Sequence, residues 1–177
     1  TGRATKQIQQ FQDLDKEYSG TIFLGGITPT LDAETEVTQT FPVDHINEDM
    51  IDKVSRQFVG EIEQVPPAYS AIWIEGTRAY NLARKNKDIE IGPRKVNITS
   101  FDILQVEIPR VKFRVSCSKG TYIRSLARDF GEALESGAYL KELCRTRIGD
   151  YELTDALEIS DLENILRQKQ QSGLNSV

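Results

Sequence analysis

The sequence predicts an α+β fold, a mixed, mostly antiparallel sheet flanked by helices. Three observations predict it. Val111, Phe113, Val115 and Cys117 alternate with Lys112, Arg114, Ser116 and Ser118, the period of a half-buried strand with one wet, basic face. After Lys119-Gly120 the period changes: Ile123, Leu126, Ala127, Phe130 and Leu134 recur at steps of three and four, so a helix follows. Residues 100–108 and 111–117 can pair as an antiparallel hairpin across Pro109-Arg110.

In chain order, residues 1–14 form a helix with Ala4, Ile8 and Phe11 on one face. Residues 17–24 form a strand rich in β-branched and aromatic side chains, closed by Gly25-Gly26. Residues 27–44 are an extended, threonine-rich excursion with Pro29 and Pro42. Asn47 caps a helix with Met50, Ile51, Val54 and Phe58 at helical spacing, and Gly60 stops it. Pro66-Pro67 forbids a central strand across 61–71. A short strand at 71–74, a turn at Glu75-Gly76, a short helix at 78–85 and a strand at 94–98 follow, the last reached through the run 88–91 and Pro93. Thr121 is placed to cap the helix after Gly120. Residues 139–145 read as a short basic turn or helix, 147–153 as the last strand, and 154–157 and 160–166 as short helices. A polar tail, frayed over 168–177, ends the chain.

Composition narrows the function. The 177 residues suit one domain with an adequate core, and neither repeat nor linker divides them. No apolar run has the length of a membrane span. Two cysteines, Cys117 and Cys144, lack metal or redox spacing and read as packed thiols in a reducing compartment. One histidine, His45, makes a histidine metal site or a Ser-His triad a poor fit. The net charge of −5 hides an uneven distribution. Residues 26–64 are acidic. Residues 110–147 carry Arg110, Lys112, Arg114, Lys119, Arg124, Arg128, Lys141, Arg145 and Arg147, a surface for an anionic partner.

Single residues leave the chemistry open. Tyr18 taken alone is an aromatic packing against a neighbour, Asp32 a turn residue, Tyr69 a loop anchor, and Arg145 with Arg147 a solvated face. Arg124 and Arg128, four apart, share one helical face. There is no Walker loop, GxGxxG or HExxH.

Several runs taken together and in order do point somewhere. They are EYSGTIFLG at 17–25, TPTLD at 28–32, FVGEIEQVPPAYSA at 58–71, GTRAYNLAR at 76–84, SKGTYIR at 118–124 and LCRT at 143–146. Each resembles a motif of the bacterial tRNA pseudouridine-55 synthases, the TruB family. The resemblance spans about 1–162 and implies a pseudouridine synthase-like catalytic core within a single domain over 1–177, with 163–177 a polar tail. It implies an isomerase acting on a T-loop uridine of tRNA, in the cytoplasm, as a monomer, without cofactor, metal or membrane.

The same resemblance assigns roles. Arg124 would pair with the catalytic aspartate. Tyr18 would lie against the target base, with Tyr122 and Leu143 completing the pocket and Asp32 bonding near the base. Lys119, Arg145 and Arg147, with Arg110 and Lys112, would meet the RNA backbone. Tyr18, Tyr122, Arg124 and Leu143 should share one cleft. The family's aspartate loop, G-x-L-D-P-x-A-T-G, and its N-terminal histidine have no counterpart here, and Leu31-Asp32 echoes only two letters of the loop. Trp73 stands where the family often has lysine. No run within 1–177 resembles the family's RNA-binding PUA domain. The chain, starting at Thr1, therefore reads as processed or a fragment that alone makes no pseudouridine. A catalytically silent RNA-binding module is the alternative. Arg124, without its partner, should turn to solvent or find a substitute acid.

Overall fold

A computed structural model describes residues 2–74, 76–85 and 90–174. Expectations for Thr1, Glu75, Asp88 and Ile89 and for 175–177 lie outside the described residues. A 3₁₀ turn, Gly2–Gln7, runs into α1 (Ile8–Asp13). Then come β1 (Lys16–Leu24), β2 (Gly26–Ile27), β3 (Gln39–Thr40), α2 (Glu48–Gln57), β4 (Gly60–Gln64), β5 (Trp73–Ile74), β6 (Thr77–Arg78) and α3 (Ala79–Ala83). The chain continues with β7 (Arg94–Glu107), β8 (Arg110–Cys117), α4 (Ile123–Ala133), β9 (Ala138–Ile148), β10 (Tyr151–Glu152) and α5 (Ile159–Leu174).

Six strands form one sheet in the order β10-β9-β1-β8-β7-β4, every described pair antiparallel. The expected α+β architecture is present, and Tyr18 and Val115 sit directly across from each other on the central strands. One face of this sheet carries the core. Ile22 and Leu24 of β1, Ile98 and Phe101 of β7, and Val111, Phe113, Val115 and Cys117 of β8 pack against α2 and α4. Helix α4 contributes Ile123, Leu126, Ala127 and Phe130, all buried. Phe101 meets Phe113 edge-on at 5.8 Å and Phe130 at 5.4 Å, arrangements that ring quadrupoles favour.

Local chemistry explains most boundaries. The Asn47 side chain accepts from the Met50 amide at 3.0 Å, capping α2 as its sequence predicts. Strand β4 lies at the sheet edge and ends before Pro66-Pro67, where a missing N–H does no harm.

Six expectations need correction. Residues 147–153 are not one strand: β9 ends at Ile148, Gly149 at φ +54° turns the chain, and Tyr151–Glu152 is the separate strand β10. Phe58 closes α2, and Gly60, at φ +110°, instead starts β4. Residues 94–98 and 100–108 belong to one long strand, because irregularities between Ile98 and Ser100 and between Ile103 and Gln105 break its alternation without ending it. Thr121 does not cap α4. Its hydroxyl donates to the Ser118 carbonyl at 2.9 Å, and Tyr122 holds the cap position. Residues 139–145 are strand, for Lys141 and Thr146 are extra residues that interrupt the period of β9. The tail is helical to Leu174, continuing α5.

Gly20 shows how tightly the central strands approach. It lies between Phe113 and Leu143, and a Cβ added there would stand 2.3 Å from the Glu142 carbonyl oxygen and 3.0 Å from the Phe113 ring. The backbone of β9 cannot give way without losing ladder bonds. Gly20→Ala should therefore lower stability by about 1–3 kcal/mol, read as a lower urea midpoint with an unchanged slope. An unchanged midpoint would contradict this packing.

Candidate active site

The site is built where α4 begins. Its first two turns hold the end of β4 and the start of the proline loop by three bonds. The Tyr122 amide donates to Gln64 Oε1 at 2.8 Å, the Ser125 hydroxyl to the Val65 carbonyl at 2.8 Å, and Arg128 Nη2 to the same carbonyl at 3.1 Å. Arg124 reaches both the proline loop and the threonine loop. Its Nη2 donates to the Tyr69 carbonyl at 2.9 Å, and its Nη1 to the Thr30 carbonyl and to Asp32 Oδ2, both at 3.1 Å. One guanidinium thus joins three segments.

Asp32 is prepared for this contact by its own loop. The Thr28 hydroxyl donates to the Asp32 carbonyl at 2.7 Å, and the Thr30 hydroxyl to Asp32 Oδ1 at 2.6 Å. The Glu34 amide adds a bond to Oδ1 at 3.1 Å. Leu31 takes φ +62°, a left-handed turn that a non-glycine residue adopts only when its surroundings hold it. Its carbonyl accepts from the Leu140 amide at 3.0 Å, fastening the loop to β9. The threonines of TPTLD are therefore the carboxylate's scaffold.

A cavity of about 630 Å³ opens over this pair. Asp32, Tyr69, Tyr80, Arg84, Arg124 and Leu143 are among its walls. The side chains of Arg124 and Asp32 are 25% and 17% exposed, so the ion pair is partly shielded yet reachable. Arg84 lies over the Tyr80 ring at 5.6 Å from its centre, a cation held on an aromatic face. Tyr80 and Arg84 carried no role in the sequence reading, although their spacing of four within GTRAYNLAR was a usable signal. Lys141, one of the cations of 110–147, is also on the wall, where the irregular register of β9 puts it.

The structure brings Asp32, Arg124 and Leu143 together. Tyr18 and Tyr122 are not on the wall of this cavity. Tyr18 packs against the same core that α4 buries, so it lies on the helix side of the sheet with Arg124 rather than on the reverse. Burial pushes its phenol above the usual tyrosine range, and Arg145, directly across on β9, pulls it back. Lys119 is bonded to Asp13 at 2.7 Å, far along the sequence on α1, and Arg147 pairs with Glu17 at 3.8 Å. Of the expected RNA-backbone cations, two are thus engaged with acids. Trp73 is 62% exposed beneath the guanidinium of Arg78, 4.4 Å from the ring centre. Among the described residues, no helix is long and apolar enough to cross a membrane.

The chain is similar to known proteins of one family. A family profile described as TruB family pseudouridylate synthase (N terminal domain) matches residues 1–123, and one described as tRNA pseudouridylate synthase B C-terminal domain matches 124–177. The chain is 50% identical to the tRNA pseudouridine synthase B of Flavobacterium johnsoniae, over 94% of this chain and 73% of that protein. It is 51% identical to the protein of that name from Bacteroides fragilis, over 89% of this chain and 68% of the other. Among solved structures, a chain of a Cbf5-Nop10-Gar1 complex superposes with TM-score 0.69 at 29% identity, covering 96% of this chain and 41% of that one. A chain from an H/ACA RNP bound to a substrate RNA containing 2'-deoxyuridine superposes at 0.64 with 26% identity, covering 96% and 40%.

The Asp32–Arg124 pair should be measurable by substitution. Asp32→Ala leaves a partly buried guanidinium without its carboxylate and should cost about 2–3 kcal/mol in urea denaturation. Removing Arg124 as well should cost less than the sum of the two single changes, because the second loss no longer strands a charge. Strict additivity would mean the pair contributes no coupling.

Proposed function

The chain belongs to the TruB family of pseudouridylate synthases, which are isomerases, and on that footing we propose that its substrate is a uridine in tRNA, the T-loop uridine at position 55. The reaction breaks the N1–C1′ glycosidic bond, turns the base and forms a C5–C1′ bond, with the C5 proton lost and N1 gaining one, so it adds no atoms and needs no cofactor. The observation that carries this reading is Arg124, held on a cavity wall by Asp32 and two carbonyls with donors to spare. A guanidinium so fixed can orient a second carboxylate with little further ordering.

The cavity's size suits a nucleotide turned out of its stack. Extrusion costs a few kcal/mol, which aromatic faces and phosphate contacts must offset. Tyr18 and Tyr122 are assigned to the base, with Tyr18 on the helix side of the sheet beyond Leu143, and Leu143 to the pocket's closure. Asp32 acts by holding Arg124. Arg84 and Lys141 are the nearest cations for the flanking phosphates. Lys119, Arg145 and Arg147 lie further out, and Lys119 and Arg147 would exchange an acid for a phosphate. The T stem-loop as the recognised element, a monomer as the working unit and a reducing cytoplasm belong to the same reading; of the two cysteines expected to be packed, Cys117 is buried and Cys144 is exposed.

The test is conversion of unmodified tRNA, read by chemical labelling of pseudouridine. Residues 1–177 alone should give none, since no acid among them stands in an aspartate loop and catalytic geometry tolerates about an ångström of error. A longer polypeptide carrying such a loop ahead of Thr1 should convert tRNA, and Arg124→Ala in it should slow conversion at least about 100-fold. Conversion by residues 1–177 alone would overturn the inactivity. No conversion by the longer polypeptide, with tRNA still bound, would favour a silent RNA-binding module.

Binding itself should be salt-sensitive, because the cations that meet the backbone release counterions. Anisotropy titrations of residues 1–177 with labelled tRNA at two salt concentrations should show weaker binding at the higher one. Equal affinity at both would remove the backbone contacts from the reading.

A further inference from the structure

Strand β9 carries one residue too many for its partner. Glu17 stands across from Arg147 and Tyr18 across from Arg145, so Thr146 has no opposite number on β1. In a regular strand residues 145 and 147 would share a face. The bulge separates them, sending Arg145 to the face of Tyr18 and Arg147 to the face of Glu17.

One carboxylate spans this irregularity. Glu17 Oε1 accepts from the Thr146 hydroxyl at 2.8 Å. Its Oε2 accepts a long bond of 3.5 Å from Ser116 on β8 and lies 3.8 Å from Arg147 Nη2. Arg147 Nη1 also donates to the Gly149 carbonyl at 3.1 Å, in the turn to β10. The Glu17 side chain is 24% exposed. Three adjacent strands thus meet at one acid, on the sheet face opposite Tyr18.

We infer that Glu17 is a positioning residue: by holding Thr146 and Arg147 on its own face of the sheet, it keeps a single guanidinium, that of Arg145, beside Tyr18 on the other. Two slips would remove the bulge, and both disturb Tyr18. If the C-terminal part of β9 slides, Arg147 comes across from Lys16 and joins Arg145 on the Tyr18 face. If the N-terminal part slides, Arg145 comes across from Ser19 and leaves that face empty of arginine. The guanidinium count beside Tyr18 goes from one to two or to none. The role in catalysis rests on the proposed contact between Tyr18 and the target base. The clamp itself does not.

The readout is the titration of Tyr18 in residues 1–177, followed by NMR with ring-labelled tyrosine and identified by its loss in Tyr18→Phe. The groups facing Tyr18 are Arg145 from β9 and the Cys117 thiol from β8. Thr146→Val removes the hydroxyl at nearly constant shape and charge. It should move the Tyr18 midpoint by at least about half a pH unit. Thr146→Ser, which keeps the hydroxyl, should restore it. Should Thr146→Val not fold, Thr146→Ala is read in the same way. A midpoint that stays put in the folded variant overturns the clamp, whatever its stability. In the longer polypeptide with the aspartate loop, Thr146→Val should slow conversion about tenfold with little change in KM. A moved midpoint together with a wild-type rate would leave Glu17 a structural clamp and overturn its part in the reaction. Absence of conversion by every version, with the midpoint moved, would count against the proposed function alone.

Discussion

The guanidinium of Arg124 ties the site together. It belongs to a core helix, yet its bonds run to two loops that have no other described hydrogen bond to each other: the threonine loop through Thr30 and Asp32, and the proline loop through Tyr69. Loops are ordinarily the least constrained parts of a fold. Here the helix supplies the constraint, because Leu126, Ala127 and Phe130 anchor α4 in the core and so fix where its first turn points. A planar, permanently charged fork suits the task, since it can hold several oxygens at set angles. The apolar face of α4 and the polar start of α4 are therefore one device, with burial on one side giving precision on the other.

Strand β9 serves the site in a complementary way. Its two extra residues, Lys141 and Thr146, divide it into short registers against β1. The first lies beside the bridge between Asp32 and Leu140 and puts Lys141 on the cavity wall. The second parts Arg145 from Arg147. A strictly regular strand would have offered one face to the core and the other to water along its whole length. Bulges let a single strand pack Leu140 in the core while Leu143, 45% exposed, reaches the cavity.

How much of this was legible in the sequence follows from the same physics. The hairpin of β7 and β8, the cap at Asn47 and the helical stripe of α4 were legible, because each depends on residues close in the chain and on an unbroken period. So was the proline loop's exclusion from the sheet. The β9 strand was not, because its bulges place apolar and basic residues out of step and mimic a basic turn. Thr121 resembled a cap, but its hydroxyl turned back to Ser118. At the site, Arg124, Asp32 and Leu143 stand on one cavity wall, but Tyr18 and Tyr122, which the motifs grouped with Arg124 and Leu143, do not. What the motifs left unread was the bond between Arg124 and Asp32, which closes across 92 positions of sequence. Nor did charge alone reveal that Lys119 and Arg147 are engaged with Asp13 and Glu17, since ion pairing is a matter of distance in space.

The Asp32 contact bears on what Arg124 can still do. A guanidinium has five N–H donors. The described bonds use three of them at most, two from Nη1 and one from Nη2. Nε and the remaining Nη2 hydrogen have no partner among the described residues. A second carboxylate arriving from a separate loop would therefore not have to displace Asp32. It would meet a guanidinium whose position and plane are already set by two carbonyls and one acid, with donors left on the Nε side. Such an approach forfeits little side-chain entropy, because Arg124 is ordered beforehand. Asp32 then has a physical role that does not require it to touch a base. It keeps a cation in a partly shielded cavity compensated while the cavity is empty, and its removal would leave that cation to reorder on every encounter with substrate.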